Sequence, residues 1–300
     1  MLAQRGASER REVASRYCTP RGHGPKPERC SVTRWMRSSN LVAVARPAGT
    51  SHHMQLRAVL FDVGDTLWHA AQPPPPAEFR RMGAERAEAF LRHIGVPCRN
   101  PEQLARAAWA SMESAMRAAR SSDRVEPDYA AVARSAAASE GVFLTNEQAA
   151  ALMEAIYISG AEGGKRAYPD ARGTLVELRN RGFRLGIVTN RAFGGERFRA
   201  DLRELGLDVG WDAVSVSVEV GFLKPHPALF EHALTALDLE PRQALMVGNS
   251  LVEDVSGAQA LGIAAAWKRS QPDAEGVTPD LTFGELSELL LWPPLKEAAH

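Results

Sequence analysis

The chain is poor in cysteine, has no excess of either charge and lacks any long apolar run. Its three cysteines, Cys18, Cys30 and Cys98, show no metal-ligand spacing. An odd, widely spaced set excludes a disulfide scaffold and points to a reducing compartment. Formal net charge is zero, from 36 basic and 36 acidic side chains. That balance argues against duplex nucleic acid or an anionic membrane face as a partner. No apolar stretch approaches the ~20 residues of a membrane-spanning helix. What is present is ordinary for a folded protein: 45% hydrophobic and 24% charged residues, in a length that suits about two domains.

The zero charge hides an asymmetry. Residues 1–53 hold nine Arg and one Lys against three Glu, a charge of +7 that the rest of the chain offsets. This segment has no helical or strand periodicity. Its longest apolar stretch, Leu41 to Ala45, is shorter than the core of most secretory signals. It reads as a disordered basic tail. An organelle-targeting role is the alternative, and so is a start of translation at Met54, where Met-Gln-Leu-Arg-Ala-Val-Leu-Phe-Asp begins like the first strand of a domain.

Three short apolar runs share a form. Ala58–Phe61 ends at Asp62, Leu185–Val188 ends at Thr189-Asn190, and Ala244–Val247 ends at Gly248-Asn249-Ser250. Each is too short for a helix and too continuously apolar for a strand with one wet face. Strands covered on both faces read this way, and they belong to parallel sheets. Val214–Val218 and Gly262–Trp267 read as further strands. Between them lie helical patterns: one capped by Asp170, one opened by Pro225, one from Asp254 to Leu261, and a closing helix over Phe283–Leu291.

Residues 73–166 differ. They open on four prolines, Pro73–Pro76, and continue as three or four helical patterns. Phe79, Gly83, Ala87, Phe90 and Ile94 share one stripe. Asn100-Pro101 with Gln103, Asp128, and Thr145 with Gln148 are helix starts. Trp109, Met112 and Met116 read as core of this insertion. The expected fold is α/β: a doubly wound parallel, Rossmann-like sheet from residues 54–72 and 167–300, with an all-α cap domain of residues 73–166 inserted after the first strand.

The polar residues at the strand ends suggest chemistry, because open α/β sheets bind ligands at the carboxyl ends of their strands. Asp62 is a buried carboxylate, Lys224 precedes a helix, Thr189 and Asn190 offer a hydroxyl and an amide, and Asp254 adds a second acid. That set suits covalent catalysis on an anionic substrate, with Asp attacking and Lys neutralising charge.

The order Phe61-Asp62-Val63-Gly64-Asp65-Thr66-Leu67, Val188-Thr189-Asn190, Lys224-Pro225 and Val247-Gly248-Asn249-Ser250-Leu251-Val252-Glu253-Asp254 resembles the four motifs of the haloacid dehalogenase-like hydrolase superfamily. The resemblance covers roughly Gln55 to Leu291. It implies Asp62 as nucleophile of an aspartyl-ester intermediate, with Thr189, Asn190 and Lys224 holding the transferring group. It implies Mg²⁺ held by Asp62, the carbonyl of Gly64 and the fourth-motif residues Asn249 and Asp254. The cap would cover the site and open and close over a small phosphorylated substrate. A phosphatase located in the cytoplasm, without nucleic-acid or membrane partners, is the expectation.

Two positions depart from the pattern. Family phosphatases carry a second Asp two residues after the nucleophile, where this chain has Gly64; Asp65 follows and, on an extended backbone, would point elsewhere. The first acid of motif four is Asn249, which brings an oxygen without a charge. A metal-independent 2-haloacid dehalogenase, whose halide leaving group needs no proton, is therefore a second reading. A non-catalytic protein that binds a phosphoryl ligand is a third. Arg191, His52, His53 and His69 read as solvated or tail residues.

Overall fold

The computed structural model describes residues 55–269 and 276–296. The basic leader, the alternative start at Met54, and Cys18, Cys30, His52 and His53 lie outside the described residues. The chain begins with β1 (Ala58–Phe61) and β2 (Trp68–Ala70). Four helices follow: Pro76–His93, Pro101–Arg120, Tyr129–Ser139 and Asn146–Ala155. Then come β3 (Lys165–Ala167), β4 (Arg184–Thr189), β5 (Ala213–Val216), β6 (Ala244–Gly248), β7 (Ala264–Lys268) and β8 (Leu281–Phe283), with helices between most of them.

The sheet runs β5-β4-β1-β6-β7-β8, and every pairing in it is parallel. β1 is central, with Phe61 opposite Ile187 on one side and Val247 on the other. Alternate residues enter opposite faces. Val59 and Phe61 join the layer of Leu175, Leu178 and Phe198, while Ala58 and Leu60 join that of Leu229, Phe230 and Leu234. Burying each such large side chain stabilises the fold by roughly 1.5–3 kcal/mol. The continuous apolar runs exist because both faces are covered.

The helical insertion has its own core, built on Leu91, Leu104, Ala108, Met112 and Leu152. Its starts follow the sequence. Asn100 Oδ1 accepts from the backbone N–H of Gln103, Asp128 Oδ1 from that of Ala131, and Thr145 with Gln148 forms a complete capping box. β2 and β3 pair antiparallel where the insertion leaves and rejoins the sheet, a ribbon absent from the sequence reading.

Several elements differ from expectation. The strand at Val214 stops at Val216, and Ser217–Val220 turns into a short helix ended by left-handed Gly221. The Ser217 hydroxyl bonds to the backbone of Arg191, which draws the chain out of the sheet. The helix assigned to Pro225 starts at Pro227, with His226 as its N-cap. The segment assigned to a helix from Asp254 begins earlier, as a π-helix over Leu251–Ser256 capped by Ser250. Asp170 precedes its helix without capping it; Oδ2 accepts from Ser287 instead. The closing segment splits into β8 and a 3-10 helix, Leu286–Leu291.

Candidate active site

Asp62 immediately follows β1, Thr189 ends β4, and Asn249 follows β6, so the central strands carry these side chains to one edge of the sheet. Lys224 reaches the same point from the loop before helix Pro227–Ala236. Its side chain is 2% exposed. It donates to Asp62 Oδ1 at 2.7 Å, Asp254 Oδ1 at 2.7 Å and the Val188 carbonyl at 2.8 Å. All three donors of the ammonium are therefore used, which fixes its position. Burial alone would push Lys224 down, but Asp254 and Asp62 outweigh it and hold the amine above its ordinary range. Burial pushes the Asp254 carboxyl up to about 6, against the pull of Lys224.

Asp62 is 7% exposed. Oδ1 also accepts from Thr189 Oγ1 at 3.2 Å, while Oδ2 receives a longer contact of 3.3 Å from Thr66 Oγ1. One carboxylate oxygen is thus tied down and the other is lightly held, the arrangement a nucleophilic carboxylate needs. Thr66 also reaches Asn249 Oδ1 at 3.4 Å, linking the first and fourth motifs.

Two expected site residues make their hydrogen bonds to other protein groups at the cavity. Asn190, expected on the substrate, accepts from the Lys224 backbone N–H at 2.8 Å and donates to Glu253 Oε2 at 3.2 Å. It braces the lysine loop, because an amide with both ends bonded within the protein has little left for a ligand. Asp254, expected on a metal, accepts from Lys224 through Oδ1 and from the Ser250 N–H through Oδ2. Asp65 is not extended: its φ is +54°, a left-handed turn. Lys268 and the Tyr168 hydroxyl donate to its carbonyl. Gly64 is exposed, and a Cβ there would meet nothing within 4 Å.

Asp62, Asn249 and Gly64 all line the same cavity, and the Asp62 carboxylate, the Asn249 amide oxygen and the Gly64 carbonyl are the oxygen donors they can offer. Hard oxygen ligands with a single carboxylate match Mg²⁺, which keeps several waters and takes further charge from substrate phosphates. The donor set therefore fits the ion, although among the described residues no cluster of three His, Cys, Asp or Glu is placed to hold a metal.

These residues open into a cavity of about 810 Å³ between sheet edge and insertion, walled on the far side by Trp109, Met112 and Met116. The three belong to or pack against the insertion's core and line the cavity as well. Arg191 is not solvated. It pairs with buried Asp201 at 2.8 Å and lies over the rings of Trp68 and Phe198. His69 stacks on Tyr168 with centroids 4.5 Å apart. Sequence reasoning also passed over Thr66, Asp201 and Lys165. Thr66 lies inside the first motif, whereas Asp201 and Lys165 come from segments with no motif around them.

A family model for haloacid dehalogenase-like hydrolases matches residues 56–262. A phosphoserine phosphatase of Thermus thermophilus is 38% identical over 126 residues, 41% of this chain and 50% of that one. The chain spans about half the length of the curated relatives it matches. Among solved structures, a HAD phosphatase of Thermococcus onnurineus is similar with a TM-score of 0.50 at 25% identity, covering 79% of this chain and 97% of its own. A 2-haloacid dehalogenase of Pseudomonas syringae reaches a TM-score of 0.52 at 26% identity, covering 78% and 96%.

Proposed function

The chain belongs to the haloacid dehalogenase-like hydrolase family, and from that membership we propose that it hydrolyses a small phosphate ester through an aspartyl-phosphate on Asp62. The observation that carries the proposal is the convergence of Asp62, Thr189 and Lys224, with one carboxylate oxygen anchored by lysine at 2.7 Å. One carboxylate oxygen of Asp62 attacks phosphorus, the ester P–O bond breaks, and the alcohol oxygen leaves and takes a proton from water, because position 64 holds no acid. Water then attacks the same phosphorus, the Asp62–phosphorus bond breaks and phosphate leaves. Lys224 offsets the negative charge that gathers between nucleophile and phosphoryl oxygens. Thr189 orients Asp62 from the neighbouring parallel strand, donating to its Oδ1. Asn190 holds the lysine loop in place, and Asp254 completes the ammonium's coordination.

Asp62, Asn249 and the Gly64 carbonyl would hold Mg²⁺. When bound, the ion supplies positive charge to the phosphoryl oxygens. The insertion, residues 73–166, acts as the cap that selects the substrate. A cytoplasmic setting is part of the proposal, supported by the sparse cysteines; no helix among the described residues is long and apolar enough to cross a membrane.

The test is phosphate release from a panel of phosphate esters with and without Mg²⁺. Release that is lost in Asp62→Asn supports the reading, and no release from any ester contradicts it. The vacancy beside Gly64 favours one second reading, halide displacement from a 2-haloacid, because a halide leaves without a proton. Halide release from 2-chloropropionate in the presence of a chelator, with no phosphate release from the ester panel, would establish that reading instead.

A further inference from the structure

The cavity's charges are not all matched. Lys224 is paired with Asp62 and Asp254, Arg191 with Asp201, and Arg120 and Arg124 with Glu253. Lys165, at the start of β3, lines the same cavity. Among the described residues no carboxylate forms an ion pair with it. Its ammonium lies 5.2 Å from the centroid of the Trp68 ring, and the Arg191 guanidinium lies 5.1 Å from the same ring. Two cations therefore crowd one indole.

Of the two acids whose charge reaches Lys165, Asp201 already accepts from the Tyr157 hydroxyl, the Gly160 N–H and Arg191. The other, Asp65, makes no ion pair with it. Burial and the neighbouring Arg191 both push the Lys165 amine below its ordinary range. An ammonium kept half-buried beside a second cation is costly unless an anion comes to it. Arg191 cannot swing away to relieve the crowding, because Asp201 and the Trp68 and Phe198 rings hold it. The place is close to the chemistry: Gly64 bridges to Trp68, and Arg191 is two residues past Thr189.

We propose that Lys165, with Arg191 beside it, is a specificity determinant that receives a second anionic group of the substrate, so that the preferred ester carries a negative charge on its alcohol part as well as on its phosphate. This rests on the phosphatase reading and names the substrate class of that site. A cation whose one role is to cover Trp68 would show no such preference.

The test compares kcat/KM for 3-phosphoglycerate, glycerol 3-phosphate and 1,3-propanediol bisphosphate in the parent, Lys165→Met and Lys165→Arg. The parent is expected to favour the charged substrates over glycerol 3-phosphate by about tenfold or more, the scale of one charge-assisted hydrogen bond. Lys165→Met is expected to remove most of that ratio through KM, and Lys165→Arg to keep it. The ranking of 3-phosphoglycerate against the bisphosphate tells a carboxylate from a second phosphate. A parent that prefers glycerol 3-phosphate, or a ratio unchanged in Lys165→Met, overturns the proposal while leaving the phosphatase reading intact. If no ester is turned over, the phosphatase reading fails, and thermal shifts with phosphonoacetate against methylphosphonate still decide the anion site. A larger shift for phosphonoacetate that disappears in Lys165→Met supports it, and equal shifts overturn it.

Discussion

A Cβ added at Gly248 would lie 2.2 Å from Asp254 Oδ2, so this glycine exists to let the second acid reach Lys224. Gly248→Ala is expected to destabilise the protein by about 1–3 kcal/mol and to lower turnover, measured by thermal melting and phosphate release; unchanged values for both would refute the role given to the Lys224–Asp254 pair. Gly64 is the opposite case. Open space surrounds its missing side chain, so Gly64→Asp should fold and should supply the acid that family phosphatases carry there. Phosphate release from alkyl esters is expected to rise, up to the ~10²-fold low end of general acid–base effects; an equal or lower rate would show that proton transfer at that position is not limiting. Asp62, Thr189 and Lys224 were legible because each stands at the end of an apolar run or inside a motif. Arg191 and Lys165 were not, because a cation becomes informative only when its partners are known, and those partners come from other segments.

The helix starts of the insertion at Asn100, Asp128 and Thr145 were legible, since each capping side chain and its target are three residues apart, whereas those expected at Asp170, Pro225 and Asp254 shifted. Thr145→Ala is expected to cost about 1 kcal/mol through loss of the capping box, read as a lower denaturation midpoint with unchanged kinetics. The β2–β3 ribbon was invisible because three residues per strand show no period. The link from the insertion to the Lys224 loop was invisible for a different reason. Leu223 N–H donates to the Arg124 carbonyl at 2.8 Å and Glu126 N–H to the Gly221 carbonyl at 3.0 Å, a pairing of segments about a hundred residues apart. Glu126 lies at this joint, and burial pushes its carboxyl up to about 7 from 4.5. Between those pH values the folded chain keeps a proton that the unfolded chain has lost, so stability falls as pH rises through the window. Glu126→Gln should therefore be more stable than the parent at pH 8 and lose that advantage below pH 4.5. Denaturation midpoints across the range check it; an advantage independent of pH would contradict it.

At the scale of the whole molecule, the parallel sheet and the helical insertion could be read from runs, breaks and caps, and the relation between the two could not. That relation places Asp62 in a cavity lined both by the sheet edge and by insertion residues such as Trp109 and Met112. Orthophosphate at a hundred times its dissociation constant is expected to stabilise the folded chain by about 2.7 kcal/mol, visible as a rise in melting temperature that Lys224→Met reduces. Turnover through Asp62 requires a transient bond between phosphorus and one of its carboxylate oxygens. Acid quenching during turnover of a phosphate ester, followed by peptide mass spectrometry, tests it most directly. One phosphoryl group is expected on Asp62, absent in Asp62→Asn. Steady phosphate release with no adduct on Asp62 at any quench time would contradict it.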